Sequence, residues 1–367
     1  MPTLLVQEYL RSGKTLADLE AEFGIEHRLH KEFPNLAQLK YNMIDSPMAE
    51  KIVQECRGLI LDAANNWEVV SFPYTKFFNY GEGLAHPINW TTDGATLSPD
   101  LRVLEKIDGS LMCLYWYNGS WRVSSSGLPD ANGTVELLSI TFSELFWQTW
   151  AELGYTLPDD KNYTYMFELC TRFNKVVIYH PVSRIVLHGV RDITTHQEYL
   201  PQDVASKYGW ECVKFYDFSS MDEVLAMAET LEAMKQEGFV VLDAATFNRI
   251  KLKTPQYVRI ARMRDGLSYK NILDTIRLNE SSEFLTYFPE FMELYTEVEA
   301  KFNALVSEIE RVYEEIRHIE VQKEFALIAV KYPFSGTLFN MRKTGNSARS
   351  LLAVMHIDYL LGMVGKE

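Results

Sequence analysis

The sequence predicts an antiparallel α+β domain followed by a mostly helical C-terminal domain. Three observations carry this. Strand-like runs between 56 and 126 are separated by Asp-Gly and Asn-Gly turns, the strongest short-range hairpin signal. Over 56–253 strands and helices do not alternate as regular βαβ units, so a parallel sheet is not expected. Beyond about 265 the strand-like runs stop, and Leu305, Ile309, Val312, Ile316 and Ile319 recur at spacings of four and three, an apolar helix stripe. The 367 residues exceed what one ordinary core supports, so two domains are expected, 1–264 and 265–367.

The elements follow in order. Residues 1–50 read as polar and helical, with LADLEAEFG a short amphipathic segment. RGLILD and WEVVSF flank the turn AANN. VLEKI and LMCLYWY flank Asp108-Gly109, which predicts a hairpin there, and WRVSSS follows Asn118-Gly119. Residues 134–152 read as a helix ending near Gly154. YTYMFELC, KVVIYH and RIVLHGV read as strands. Helical patterns cover 202–208 and 221–236, and GFVVLD and NRIKLK are again strand-like. Between 283 and 320 ten glutamates face three basic residues, a solvated acidic helix face.

Composition narrows the function. Hydrophobic residues make up 47% and charged residues 23%, which is globular. No apolar run reaches the ~20 residues that span a bilayer, and MPTLLVQEYL does not read as a secretory leader, so a cytoplasmic location is expected. The net charge of −14 excludes a chain that is basic throughout, so nucleic-acid binding would need a local basic surface. Residues 247–270 are such a surface, with seven basic residues against one acid. Tyr257 and Tyr269 interleave there for base stacking, and Arg259, Arg262 and Arg264 could reach RNA. Arg342, Lys343 and Arg349 form a second, smaller cluster that reads as an ordinary surface. The cysteines at 56, 113, 170 and 212 form no C-x-x-C pair, and the eight histidines have no metal-ligand spacing, so small core residues in a reducing compartment are expected.

The sharpest local feature is Lys106-Ile107-Asp108-Gly109-Ser110. A lysine amine can attack the α-phosphate of a nucleoside triphosphate and expel pyrophosphate. At an ordinary pKa of about 10.4 only ~0.1% of it is neutral near neutral pH. Nearby cations or burial must lower that pKa, and fixed positive charge must offset the polyanion. Lys251 and Lys253, two residues apart on a strand, aim at one face. Glu168 sits in the apolar run YMFELC and Glu237 precedes Gly238; a carboxylate among apolar residues needs a partner. Arg57-Gly58 and Lys76-Phe77-Phe78-Asn79 lie upstream.

In that order ECRGLILD, KFFNYGEG, EKIDGSL, FELCTRFNKVVI, LHGVRD, EGFVV and IKLK resemble the phage-type RNA ligase 1 family, ATP-dependent members of the covalent nucleotidyltransferase superfamily. The resemblance covers about residues 55–260 and implies a nucleotidyltransferase fold for the first domain. It implies that Lys106 is the adenylated nucleophile. It implies that Asp108, Glu168 and Glu237 hold a hydrated Mg2+ or Mn2+ ion, and that Lys251 and Lys253 contact the α-phosphate. Arg57 and Lys76 then bind the outer phosphates, Phe77 stacks near adenine, and Gly109, Glu168 and Glu237 complete the ATP site. The pattern departs at Ser124-Ser125-Ser126-Gly127, where relatives carry a basic residue before the glycine. His188, Gly189 and Arg191 fall in a further motif-like segment. The resemblance implies a monomer that joins single-stranded or broken RNA ends, tRNA among them, in a host cytoplasm if the chain is phage-encoded. A DNA ligase, a GTP-using capping enzyme or a non-catalytic RNA-binding scaffold are the other readings.

Overall fold

The structure is a computed structural model that describes residues 2–42, 45–85, 98–135, 138–232, 234–265, 269–277 and 291–365, without the side chains of 259, 262–265, 271 and 275. The chain divides into two compact units, Met1–Val258 and Arg259–Glu367.

The first unit opens with helices α1 (Leu5–Arg11) and α2 (Leu16–Phe23), strands β1 (Ile25–Leu29) and β2 (Leu36–Tyr41), helix α3 (Lys51–Glu55), and strands β3 (Arg57–Asp62) and β4 (Glu68–Ser71). It continues through β5 (Leu101–Lys106), β6 (Ser110–Tyr117), β7 (Ser120–Ser125), β8 (Thr134–Val135), β9 (Ile140–Thr141), α4 (Phe142–Glu152), β10 (Tyr163–Cys170) and β11 (Arg184–Asp192). Then come β12 (Glu198–Tyr199), α5 (Pro201–Tyr208), β13 (Glu211–Cys212), β14 (Phe215–Tyr216), α6 (Met221–Thr230), β15 (Gly238–Asp243) and β16 (Arg249–Lys253), and α7 (Pro255–Asp265) carries the boundary between the units.

Among the described residues β8 and β9 pair as a two-stranded sheet, and the other strands form three larger ones. β1-β2-β3-β4 is one; β12-β11-β10-β6-β7, with β13 beside β11, is the second; β14-β5-β15-β16 is the third. Every pairing is antiparallel except β11 with β13. The fold is therefore α+β, as the turn signals and irregular helix spacing predict. The core of the second sheet is aromatic: Trp150 of α4 lies 5.6 Å from Phe167 and 5.4 Å from Trp210 between ring centroids. Edge-to-face contacts of this kind add to the area buried.

Several expectations change. Residues 25–41 hold two strands rather than helix, because β2 pairs with β1 on one side and β3 on the other and buries Leu36, Ala37 and Leu39. Helix α4 starts at Phe142, not 134. Thr141 and Glu144 form a reciprocal capping box there, which fixes the first turn. Asn118 and Gly119, both at positive φ, make the expected β6–β7 hairpin. Asp108-Gly109 does not. β5 joins the third sheet and β6 the second, so this dipeptide is the crossover between them. KVVIYH is not a strand either, because the Val177 and Ile178 amides donate to the Asp108 carboxylate instead of a ladder partner. The four cysteines are free thiols, and Cys56, Cys113 and Cys170 are buried.

The second unit is helical: α8 (Tyr269–Arg277), α9 (Met292–Ile316), α10 (Gln322–Ala329), α11 (Ser335–Thr344), α12 (Ala348–Ala353) and α13 (Ile357–Val364). The apolar stripe of α9 is buried, with Val306 rather than Leu305 facing inward and Ile319 lying past the helix end. Its acidic face is solvated, and Arg311 pairs with Glu308 and Glu315. Arg342 caps the chain after α9 by donating to the Ile319 and Glu320 carbonyls, an ordinary structural use of a basic side chain. Among the described residues no helix is long and apolar enough to cross a membrane.

Candidate active site

The site forms where the second and third sheets meet, because the crossover at 107–109 leaves Lys106 at the end of β5. Across the third sheet Gly238 of β15 stands opposite Lys106 of β5 on one side and Lys253 of β16 on the other. Glu237, one residue earlier, therefore reaches both lysines: Lys106 Nζ is 2.5 Å from one carboxylate oxygen and Lys253 Nζ 2.8 Å from the other. The Glu237 side chain is 4% exposed, and two ammonium groups answer its buried charge.

Gly238 makes this approach possible. Its φ is +150°, and an added Cβ would lie 2.1 Å from the Leu252 carbonyl oxygen and 2.8 Å from Lys253 Cα. Both are backbone atoms and cannot yield without moving β16. Gly238→Ala is expected to destabilise the protein by about 2 kcal/mol or more. It should also separate Glu237 from the two lysines, which a thermal melt and an ATP-labelling assay read together.

The segment 72–80 runs beside β16: Lys251 N–H donates to the Phe78 carbonyl at 2.9 Å and Tyr80 N–H to the Lys251 carbonyl at 2.7 Å. This places Phe77 under three cations, Arg57 at 5.3 Å, Lys251 at 5.2 Å and Arg249 at 5.8 Å from the ring centroid. Such contacts favour cations at an aromatic face. Arg57, Phe77, Lys106, Glu168, Lys251 and Lys253 all line one cavity of about 310 Å3, within the range of small-ligand sites. Lys76 is not among its lining residues; its ammonium faces the Tyr41 and Phe78 rings at 5.0 and 5.4 Å. Burial, then the charges of Lys76, Arg57, Lys106 and Lys253, push the Lys251 pKa down to about 7. Arg57 Nη1 is buried with no hydrogen-bond partner. The cavity thus holds concentrated positive charge and an unsatisfied guanidinium donor, a surface built for a polyanion.

The expected metal ligands do not come together. Among the described residues no group of three His, Cys, Asp or Glu side chains could hold an ion. Asp108 is 3% exposed and accepts three hydrogen bonds: Val177 and Ile178 N–H donate to Oδ2 at 2.7 and 2.6 Å, and the Tyr257 hydroxyl donates to Oδ1 at 2.7 Å. It is a clasp on the turn that follows Lys106. Glu168 faces His188 at 3.4 Å, and Glu237 holds the lysines. In the free protein each of the three carboxylates has a protein partner of its own. Gly109 packs against β10, where a Cβ would meet the Leu169 carbonyl at 2.6 Å; its part is close approach, not cavity lining.

Other expectations are relocated. Tyr257 is 3% exposed, so its ring is not free to stack a base. The side chains of Arg259, Arg262 and Arg264 lie outside the described residues. A cation does stand at the stretch 124–127, from another strand: Lys40 Nζ is 3.6 Å from where a Gly127 Cβ would be, and Lys40 pairs with Arg57 across β2 and β3. Arg191 lies in a buried ion triad with Glu198 and Arg249. Sequence reasoning missed Arg249, Tyr74 and Glu105, all in the cavity wall. Glu105 Oε2 is buried without a partner, and its position beside Lys106 was the available signal.

A family model described as RNA ligase matches residues 55–257. The chain is 26% identical to an RNA ligase of Rhodothermus phage RM378, over 76% of this chain and 78% of that protein. It is 27% identical to a putative bifunctional polynucleotide kinase/RNA ligase of Autographa californica nuclear polyhedrosis virus, over 78% of this chain and 42% of that one. Among solved structures, an archaeal ATP-dependent RNA ligase aligns over 83% of both chains at 12% identity and TM-score 0.48. A Naegleria gruberi RNA ligase mutant with ATP and Mn aligns over 44% of this chain and 51% of that one, at 16% identity and TM-score 0.34.

Proposed function

The chain belongs to the RNA ligase family of enzymes, and on that premise we propose that it joins RNA 5′-phosphate and 3′-hydroxyl ends at the expense of ATP. The observation that carries the reading is the convergence on Lys106 of Glu237, Lys253, Lys251 and the unpaired Arg57 guanidinium in and around one cavity. In the first step the Lys106 Nζ lone pair attacks the α-phosphorus of ATP. An N–P bond forms, the bond to the bridging oxygen breaks, and pyrophosphate leaves. The proton that the ammonium must shed has an acceptor 2.5 Å away in the Glu237 carboxylate. Arg57, Lys251 and Lys253 hold the phosphates and offset charge on their oxygens. Mg2+ or Mn2+ carried in on the triphosphate would supply further counter-charge.

In the second step an RNA 5′-phosphate oxygen displaces Lys106 and forms a 5′–5′ pyrophosphate linkage. In the third a 3′-hydroxyl attacks that RNA phosphate and AMP departs. Phe77 offers a face and Glu105 an unpaired acceptor for the adenine amino group. A guanine carbonyl there would meet the carboxylate as a second acceptor, which favours ATP over GTP and a ligase over a capping enzyme. Broken tRNA is the proposed class of substrate.

The test uses α-labelled ATP and GTP, then a 5′-phosphorylated single-stranded RNA with DNA and nicked-duplex controls. Covalent label from ATP and circularised RNA are expected. Label from GTP alone, or sealing of DNA in preference to RNA, sinks the proposal.

A further inference from the structure

The first sheet reaches the cavity at one corner, through Arg57. Gly58 is the extra residue of a β-bulge between β2 and β3, at φ +89°, a conformation that glycine adopts without strain. The bulge shifts the register by one, so Arg57 rather than Gly58 stands opposite Lys40. Residues directly opposite share a face, and like charges so placed destabilise a sheet. The protein leaves both cations short of partners. Arg57 Nη1 is buried without an acceptor. Glu26, opposite Lys40 on β1, is taken by Asn42 at 2.9 Å and Arg28 at 3.6 Å, and among the described residues Lys40 has no ion-pair partner. An anion between Lys40 and Arg57 would remove the repulsion.

This face of β2 is anchored over the turn that follows β7. Gln38, two residues before Lys40 and so on the same face, donates to the Ser125 carbonyl at 2.9 Å. Ser125 N–H donates to the Leu128 carbonyl at 2.9 Å and closes the turn. Lys40 Nζ stands beside it, 3.6 Å from where a Gly127 Cβ would be. Arg57 lines the cavity and Lys40 does not, and Lys40 is exposed. The pair therefore straddles the rim. A third cation, Arg28 of β1, stands opposite Gln38 on the same face with its side chain 60% exposed. Positive charge thus runs outward from the cavity across β3, β2 and β1, at about 5 Å per strand. A chain of phosphates that enters the cavity by its terminus passes all three.

We propose that Lys40 binds the phosphate backbone of the RNA strand whose 5′-phosphate enters beside Arg57, so that this face of the first sheet is the entry track for that strand. This rests on the ligase reading of the cavity. The other source of phosphate is the triphosphate of ATP, which would place Lys40 in the first step instead of the second.

The test separates the two steps. Protein labelled by ATP is freed of nucleotide and pyrophosphate and mixed with 5′-phosphorylated single-stranded RNA, and transfer of AMP in a single turnover is followed against RNA and salt concentration. Lys40→Gln, which keeps a polar side chain without the charge, should weaken apparent RNA affinity by on the order of 10-fold. It should also make the slope of log affinity against log salt shallower by about 0.7, one phosphate contact on a single strand. Lys40→Arg should restore most of both. Unchanged RNA affinity and slope in Lys40→Gln overturns the proposal. So does a loss as large in labelling by ATP, which assigns Lys40 to the triphosphate. Fluorescence anisotropy of the same RNA on Lys106→Ala protein, with and without Lys40→Gln, reads the contact without chemistry. A Lys40 effect there, with no labelling of wild type by ATP, would sink the ligase reading and leave this one standing.

Discussion

Lys106→Ala is expected to abolish covalent labelling by ATP, a fall on the order of 10^4 or more, while ATP still binds. Lys106→Arg should be as inactive. Its guanidinium keeps the charge and can reach Glu237, but it does not deprotonate in proteins and so offers no amine lone pair. The pair of variants separates nucleophilicity from charge. Both are expected to stay folded, because Lys253 still answers the buried Glu237 carboxylate, and a thermal melt checks this. Label persisting in either variant, located by peptide mass to another residue, would remove Lys106 from the reaction.

Lys251 gives the second large effect, through pH. Its pKa of about 7 means that the free protein sheds this proton as pH rises through neutrality. A bound triphosphate favours the ammonium, so above about pH 7 ATP binding must take a proton up. Affinity for ATP should fall by up to about tenfold per pH unit there. Lys251→Met should bind ATP weakly and without that slope. The stability sign is the reverse of an ordinary ion pair. The unfolded lysine stays charged to about pH 10.4, so the fold is penalised most below pH 7 and the penalty fades as pH rises from there. Lys251→Met should therefore raise the melting temperature more at pH 6 than at pH 9. A wild-type affinity flat from pH 6.5 to 9 by calorimetry contradicts the crowding of cations described above.

Much of the site was legible because its logic is local. The Lys251-x-Lys253 spacing fixes one strand face, and Asn118-Gly119 fixes one hairpin. What was illegible depends on partners distant in sequence. Asp108-Gly109 carries the composition of a hairpin, yet neither residue adopts positive φ, and Asp108 is claimed by Val177, Ile178 and Tyr257. The same bonds turn KVVIYH from strand to loop. Tyr257 looked available because its neighbours are basic; only the fold reveals that its hydroxyl is committed inside. Lys40 could not be connected to the cation missing near Gly127 without knowing that β2 lies beside β3.

The crowd of cations around Lys251 has a consequence for the order of events in the proposed reaction. Displacement at phosphorus proceeds in line, so whatever departs when the lysine bonds, and whatever later expels the lysine, must occupy the same apical side. One positively charged berth therefore serves two anions in turn. Pyrophosphate has to vacate before an RNA terminus can dock, and free pyrophosphate becomes both a rival of RNA and the reagent that drives the first step backwards.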